Sequence, residues 1–541
     1  MSTSPASASS PSSAEPAPTT PAASSPSSPS SPSSAPVGAP SARRPHLTDA
    51  ALTWLLAGAL GIWALVLRVW NLDRVQELVF DEVYYVRDAY TLVREGVEHA
   101  WAKEGSKQAF ESGNVDSYLD SAAYVVHPSV GKWVIGLGEM VFGANNPLGW
   151  RISVAVVGAL TVVVLFFVVK RLLGSLSLAV LAAFLMSIDG LHLTHSRTGL
   201  LDLILMAFVL VAFWLLLIDR DQFRARLAQI TEGSGDFSRV MGVRWFRLAA
   251  GVNLGLACGV KWSGLYFLAV FGLMSVAWDL WARRRAGDPR WLVRGFFRDG
   301  LTAFLAMVGG AFLTYLASWT GWFLSSNGYY RTWAAENGYG DSNPIVQALV
   351  SLWHYHQQAY SFHVGLDAEH TYAANPLLWL LQLRPTSFYY RSYTFGEMGC
   401  EVEKCSAAIT SLGNPVLWWL GAAALLLTLV AGIVWRDGRA WAILAGFVAG
   451  YVPWLFYMER TIFQFYAIVY EPWVIMGIVF CFGLLLGGPA ASRARRYYAW
   501  LAIGSLVALI ALVSWFFWPV WTAEVIPFEQ WQWRMWLPSW V

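Results

Sequence analysis

The chain has 541 residues, 56% of them hydrophobic and only 13% charged, with 31 Trp, 30 Phe and a formal net charge of +2. Soluble domains carry roughly 25% charged residues, so this composition excludes a water-soluble globular protein. The net charge averages over segments on two sides of a membrane and identifies no partner; a nucleic-acid partner is not expected.

Residues 1–47 are mostly Ser, Pro and Ala, with Arg43 and Arg44 near their end. Such a segment buries too little apolar surface to offset its ordering entropy, and it is expected to be a disordered cytoplasmic tail. It lacks the charged-then-apolar order of a secretory signal. Residues 48–541 read as one all-α polytopic membrane domain. Apolar runs fall near 51–70, 150–169, 176–190, 199–218, 248–263, 264–282, 300–319, 414–434, 440–457, 463–486 and 498–518. A bilayer crossing needs about 20 apolar residues. Short basic loops stay in the cytoplasm, and here Arg43–Arg44, Lys170–Arg171, Arg220 to Arg247, Arg283 to Arg298, Arg436–Arg439 and Arg493 to Arg496 form one set. Keeping all of them inside predicts about eleven passes, a cytoplasmic N-terminus, and a tight outer turn near Lys261 dividing 248–282. The long loops, 71–149 and 320–413, then face outside, which places the working surface there.

Within the first of these loops, Phe80, Val83, Tyr84, Tyr90 and Val93 recur near helical spacing, with Asp81, Tyr85 and Asp88 on another side. The pattern predicts an amphipathic helix lying in the membrane interface, aromatic face down. Asp81 and Glu82 would project at the headgroup layer, either as a solvated charge pair or as the acids of a site. His127-Pro128-Ser129-Val130-Gly131-Lys132 follows as a constrained loop, then Arg151 at the mouth of the second span. Arg197, Lys261 and Arg460 also fall at outer turns. So many cations on the outer side run against the charge bias, unless they face an anion.

The second long loop carries His354, His356, His363 and His370. This spacing suits either a metal or packing and hydrogen bonding to a sugar or acceptor, and no accompanying carboxylate or cysteine pattern favours the metal. Cys400 and Cys405 are either a local disulfide or two free thiols. The tail Trp518, Trp521, Trp531, Trp533, Trp536 and Trp540 suits an aromatic belt better than a lid.

Taken in order, Phe80-Asp81-Glu82, His127-Pro128-x-x-Gly131-Lys132, Gly149-Trp150-Arg151, Leu201-Asp202, Gly259-Val260-Lys261-Trp262-Ser263-Gly264, Trp353-His354-Tyr355-His356 with Phe362-His363, Arg384-Pro385-Thr386-Ser387-Phe388-Tyr389 and Pro472-Trp473 resemble the protein O-mannosyltransferases of actinobacterial type. The resemblance runs from about residue 51 to the C-terminus. One departure is Ser129, where the family usually has a second Pro; a looser loop is expected there. The resemblance implies a GT-C glycosyltransferase fold with interfacial helices in the first outer loop. It also implies transfer of mannose from polyprenyl-phosphate-mannose to Ser or Thr of exported proteins, Asp81 as the catalytic carboxylate of the Asp-Glu pair, Glu82 beside it, a bacterial plasma-membrane location, and coupling to the secretion translocon.

A phosphate-linked donor leaves as a stable anion, so no general acid is needed. The reaction does need a base for the hydroxyl and positive charge at the phosphate. Asp81 is the expected base; Arg151, Lys261, Lys132 and Arg460 are expected at the phosphate, and His127, His354, His356 and His363 at the sugar or acceptor. One carboxylate and direct displacement predict inversion, with no cofactor and no metal. The alternative within the same fold is a transferase for another lipid-linked sugar or a glycan or lipid acceptor. A transporter is disfavoured, because the charges lie at span ends and no internal repeat is visible.

Overall fold

In a bilayer the backbone must satisfy its own hydrogen bonds, and the computed structural model, which describes residues 48–233, 235–237 and 242–541, folds every apolar run as helix. The Ser/Pro/Ala-rich segment 1–47 lies outside the described residues. Helix α1 (Asp49–Val69) leads into α2 (Glu82–Glu95), a hairpin of β1 (His99–Trp101) and β2 (Tyr118–Ala122), and α3 (Val130–Phe142). Next come α4 (Pro147–Leu173), α5 (Leu176–Ile188), α6 (Gly190–Ser196), α7 (Asp202–Glu232), α8 (Trp245–Val260), α9 (Gly264–Arg285) and α10 (Trp291–Ser318). The second long loop holds α11 (Pro344–Gly365), β3 (Thr386–Thr394) and β4 (Lys404–Ser411). It is followed by α12 (Pro415–Val434), α13 (Gly438–Phe456), α14 (Gln464–Leu486), α15 (Arg493–Trp521) and β5 (Ile526–Pro527).

Among the described residues, nine helices are long and apolar enough to cross a membrane, or ten if the bent pair α5–α6 is one span. The eleventh apolar run is α8, whose 16 residues extend about 24 Å, short of a hydrocarbon core about 30 Å thick. Helices α8 and α9 are separate, and the break falls at Lys261–Ser263, as the sequence predicts. The α5–α6 bend of 63° has a local cause. Asp189 caps α6 through Leu191 N–H (3.0 Å) while accepting from Asn414 N–H (2.8 Å) at the start of α12. Gly190 beside it lies so close to the Trp521 indole that a Cβ would sit 2.0 Å from a ring carbon. Among the described residues three α-helices open on Asn-Pro: Asn146, Asn343 and Asn414 each accept from the first turn, and the following Pro fixes the helical φ.

Helix α4 packs against α1, α3, α5 and α7, and its Val154, Val162, Leu165 and Phe166 are fully buried. In lipid such contacts act through close packing rather than water exclusion. At one end of the bundle, Asp219 of α7 and Asp279 of α9 share Arg244 and Arg247 across 2.5–3.1 Å. Replacing Asp279 with Ala would leave two buried guanidinium groups facing one carboxylate. A loss of about 3–5 kcal/mol is expected, as for other broken buried pairs, read as a lower unfolding midpoint in detergent.

Strand order β3-β4-β5 forms a small antiparallel sheet, and Cys400–Cys405 is a disulfide closing the turn between β3 and β4. The Trp-rich tail is not a uniform belt. Trp521 and Trp540 are buried in a second core with Phe517, and Trp540 Nε1 donates to Gln382 O at 2.7 Å; only Trp533 and Trp536 stand largely exposed.

Candidate active site

Phe80 has φ of +48°, a left-handed conformation that costs energy outside glycine. The turn sends the next two side chains in different directions. Glu82 goes inward: it is fully buried and takes both Arg151 Nε and Nη2 at 2.8 Å. Its oxygens also accept from Val79 N–H (2.9 Å) and Gly199 N–H (2.7 Å). The remaining Arg151 donors reach Val75 O (2.7 Å) and Glu77 O (2.9 Å). Glu82–Arg151 is therefore a clamp that holds the strained turn. Contrary to the sequence expectation, Arg151 does not line the neighbouring cavity and offers no free edge to a phosphate.

Which side of the interfacial helix meets protein also differs from the expectation. Tyr85, Val86, Asp88, Ala89 and Tyr90 of α2 are buried, and the helix packs on α3. Tyr84 is the aromatic residue left exposed. The Asp81–Tyr85–Asp88 side faces protein because it has charged partners there: Lys132 Nζ sits 3.1 Å from Asp88 and 2.8 Å from Glu98. Lys132 is thus buried between two carboxylates and does not line the cavity at Lys261. Ser129, where a looser loop was expected, donates to Ser318 O at 2.9 Å and pins that loop.

Asp81 is within electrostatic reach of Lys261, in the turn between α8 and α9, and of Asp202. Lys261 there is held by both oxygens of Asp202 (2.9 and 2.7 Å) and lies 5.3 Å from the Tyr466 ring centroid. Burial pushes the Asp81 carboxyl up to about 6; Lys261 opposes the shift, Asp202 adds to it, and the Tyr85 hydroxyl, 3.4 Å away, opposes it. At neutral pH Asp81 is ionised yet close to its protonation range, which is where a general base works best. Phe80, its neighbour, stacks on Phe388 at 4.9 Å and meets Phe465 edge-on at 5.5 Å.

Beside this cluster is a cavity of about 310 Å³ lined by His127, Asp202, Lys261, His363, Arg460 and Tyr466 among others. Arg460 has no carboxylate within ion-pair distance among the described residues, and its buried Nε has no partner. Its Nη2 donates to His363 Nδ1 (3.3 Å), and His363 Nε2 in turn donates to Val126 O (2.9 Å). His127 stacks on His363 at 5.2 Å. Burial first, then nearby cations, lowers both histidines, His363 to about 4, so both are neutral at pH 7. A second, apolar trough of about 530 Å³ abuts the cavity and shares Trp262, Leu265 and Tyr360 with it.

The other three histidines of the second long loop lie elsewhere. His356 lines the trough, where its two ring nitrogens meet Tyr315 Oη (2.6 Å) and Leu352 O (2.7 Å). Neither nitrogen is left for a sugar. His354 stacks on Trp333 at 3.8 Å, and His370 meets Phe463 edge-on at 4.9 Å. Arg197 caps the end of α1, donating to Arg68 O and Trp70 O at 2.8 Å. Of the cations expected to await an anion, Lys261 and Arg460 are the two at the cavity. Sequence reading gave no role to Asp202, Tyr85 or Tyr466. Asp202 did leave a signal, a carboxylate at the start of an apolar run on the same side as Lys261.

Residues 58–298 match the family described as dolichyl-phosphate-mannose-protein mannosyltransferase, and residues 348–540 match the C-terminal four-helix transmembrane region of protein O-mannosyltransferases. The chain is 34% identical over 511 residues to the polyprenol-phosphate-mannose–protein mannosyltransferase of Mycolicibacterium smegmatis, covering 91% of this chain and 94% of that one. The protein of the same name from Mycobacterium tuberculosis is 33% identical, with 91% and 92% covered. In structure the chain is similar to the S. cerevisiae protein O-mannosyltransferase Pmt1-Pmt2 complex bound to the sugar donor. The TM-score is 0.70 at 14% identity, over 91% of this chain and 93% of that one, a likeness that bears on the fold alone and makes it GT-C. Matches spread over both halves of the chain, at this identity and coverage, show that it belongs to the dolichyl-phosphate-mannose-protein mannosyltransferase family of membrane glycosyltransferases.

Proposed function

We propose that this protein transfers mannose from polyprenyl-phosphate-mannose to Ser or Thr hydroxyls of exported polypeptides, at the outer face of the membrane and with inversion. The observation that carries the reading is the cavity lined by Lys261 and by Arg460, whose buried Nε has no partner, with Asp81 within electrostatic reach of Lys261. The hydroxyl oxygen attacks the anomeric carbon, and its proton passes to the Asp81 carboxylate. The bond from that carbon to the phosphate oxygen breaks, and its electrons leave with the polyprenyl phosphate. Lys261 and Arg460 stabilise the growing negative charge, while Asp202 holds Lys261 in place. The leaving group is already anionic, so the scheme calls for no metal. The adjoining apolar trough supports a lipid-borne donor, because a polyprenyl tail needs an apolar path beside its phosphate.

The test is label transfer from polyprenyl-phosphate-[³H]mannose to a Ser/Thr peptide by the protein in nanodiscs, with the anomeric configuration of the product read by NMR. An α-linked product from a β-linked donor is expected. Transfer from other lipid-linked sugars but not from mannose would favour the alternative within the fold. Lys261→Met is expected to raise the donor KM about tenfold or more, a loss of about 1.4 kcal/mol at the phosphate. It should also move the acid limb of the rate profile to higher pH, because Lys261 holds the Asp81 carboxyl down. An unchanged acid limb in that variant would dissociate Asp81 from it.

A further inference from the structure

Strand β3 has a neighbour on one side only, β4. The direction of its backbone groups follows from the register. Ala408 O accepts from Ala523 N–H (3.1 Å), on the β5 side of the sheet. Ala408 is opposite Tyr390, so Tyr390 and then Ser392 turn their N–H and C=O away from β4, to the open edge. Among the described residues no donor or acceptor meets those groups. Natural edge strands are usually blunted by short length, proline or charge. This one runs nine residues without proline, and its one charged side chain, Arg391, is paired with Glu77 at 3.2 Å. The open stretch is exposed at Tyr390, Arg391 and Ser392. The same strand begins at the active site, where Phe388 stacks on Phe80, the residue before Asp81.

We propose that the free edge of β3 receives the acceptor polypeptide as an added strand, so that main-chain hydrogen bonds to Tyr390 and Ser392 lead its hydroxyl residue to Asp81. This rests on the protein acceptor proposed above. Strand addition takes its affinity from the peptide main chain, which every polypeptide carries. It suits an enzyme that must present a hydroxyl from many different sequences.

The probe is a fluorescent thirteen-residue Ser/Thr peptide, with binding to the full chain in nanodiscs measured by anisotropy, independently of turnover. Two perturbations are used. Single N-methylation along the peptide removes one N–H at a time, and Ser392→Pro removes an N–H on the open edge while keeping the bonds to β4. Expected are a Kd weakened about tenfold by N-methyl groups at alternate positions only, with the intervening positions near neutral. A similar loss is expected for Ser392→Pro with the native peptide, while N-acetyl-threonine amide, too short to add a strand, is mannosylated equally by both forms. Equal effects at all N-methyl positions, or unchanged peptide affinity in Ser392→Pro, would overturn the proposal even if mannose transfer is intact. So would a change confined to self-association, seen by mass photometry, since the edge would then serve a second copy. Absence of mannose transfer with alternating N-methyl losses retained would instead remove the proposed reaction and leave the docking edge standing.

Discussion

Asp81→Asn is expected to lower the rate of mannose transfer by about 10²–10⁴-fold, the usual contribution of a positioned base, with donor affinity nearly unchanged. Asparagine keeps the size and the contact with the Tyr85 hydroxyl but cannot accept the proton of an attacking hydroxyl. Burial, partly offset by Lys261, sets the carboxyl near 6, and this fixes the sign of the pH response. The working form is the carboxylate, so the wild-type rate should be flat above about pH 7. It should then fall in proportion to the ionised fraction as pH drops through about 6. Single-turnover transfer between pH 5 and 8, alongside equilibrium donor binding, checks both. A variant with full activity would remove Asp81 from the chemistry, and a donor-binding defect of the same size as the rate defect would make it a binding residue instead.

The second large effect belongs to the neighbouring acid and is one of stability. Glu82→Gln should destabilise the protein by about 3–5 kcal/mol, because Arg151 would be left as a buried charge without its counterion. Two main-chain N–H groups, of Val79 and Gly199, would also lose a charged acceptor. Arg151→Lys should be nearly as damaging, since an ammonium cannot reproduce the two parallel bonds of the guanidinium. The measurement is the unfolding midpoint of purified protein, with donor affinity determined on the fraction that remains folded. Unchanged donor affinity in folded Arg151→Lys would agree with the clamp seen here, whereas a selective loss of donor affinity with normal stability would restore Arg151 to the phosphate.

The two effects differ because adjacent residues with similar carboxylates meet different surroundings, and this marks the boundary of what sequence conveys. Apolar runs must become helices in lipid, so the eleven segments, their basic flanks and the break at Lys261 were readable from composition and spacing. The ordered motifs gave the family. The resemblance, not the spacing, marked Asp81, while the charge bias of the loops marked a surplus of cations. That bias could not divide those cations, because the division depends on partners distant in the chain: Glu82 claims Arg151, Asp88 and Glu98 claim Lys132, and carbonyls at the end of α1 claim Arg197, whereas Lys261, held by Asp202, still lines the cavity. Arg460 keeps an unpartnered nitrogen. Periodicity likewise could not tell which side of α2 faces protein, since polar residues with buried partners give the same pattern as polar residues in water. By itself the sequence determined the membrane domain, its helices and its family, because those follow from local hydropathy and motif order. Only the tertiary structure decided which charges remain available to a substrate, because that depends on which ion pairs close when the helices pack.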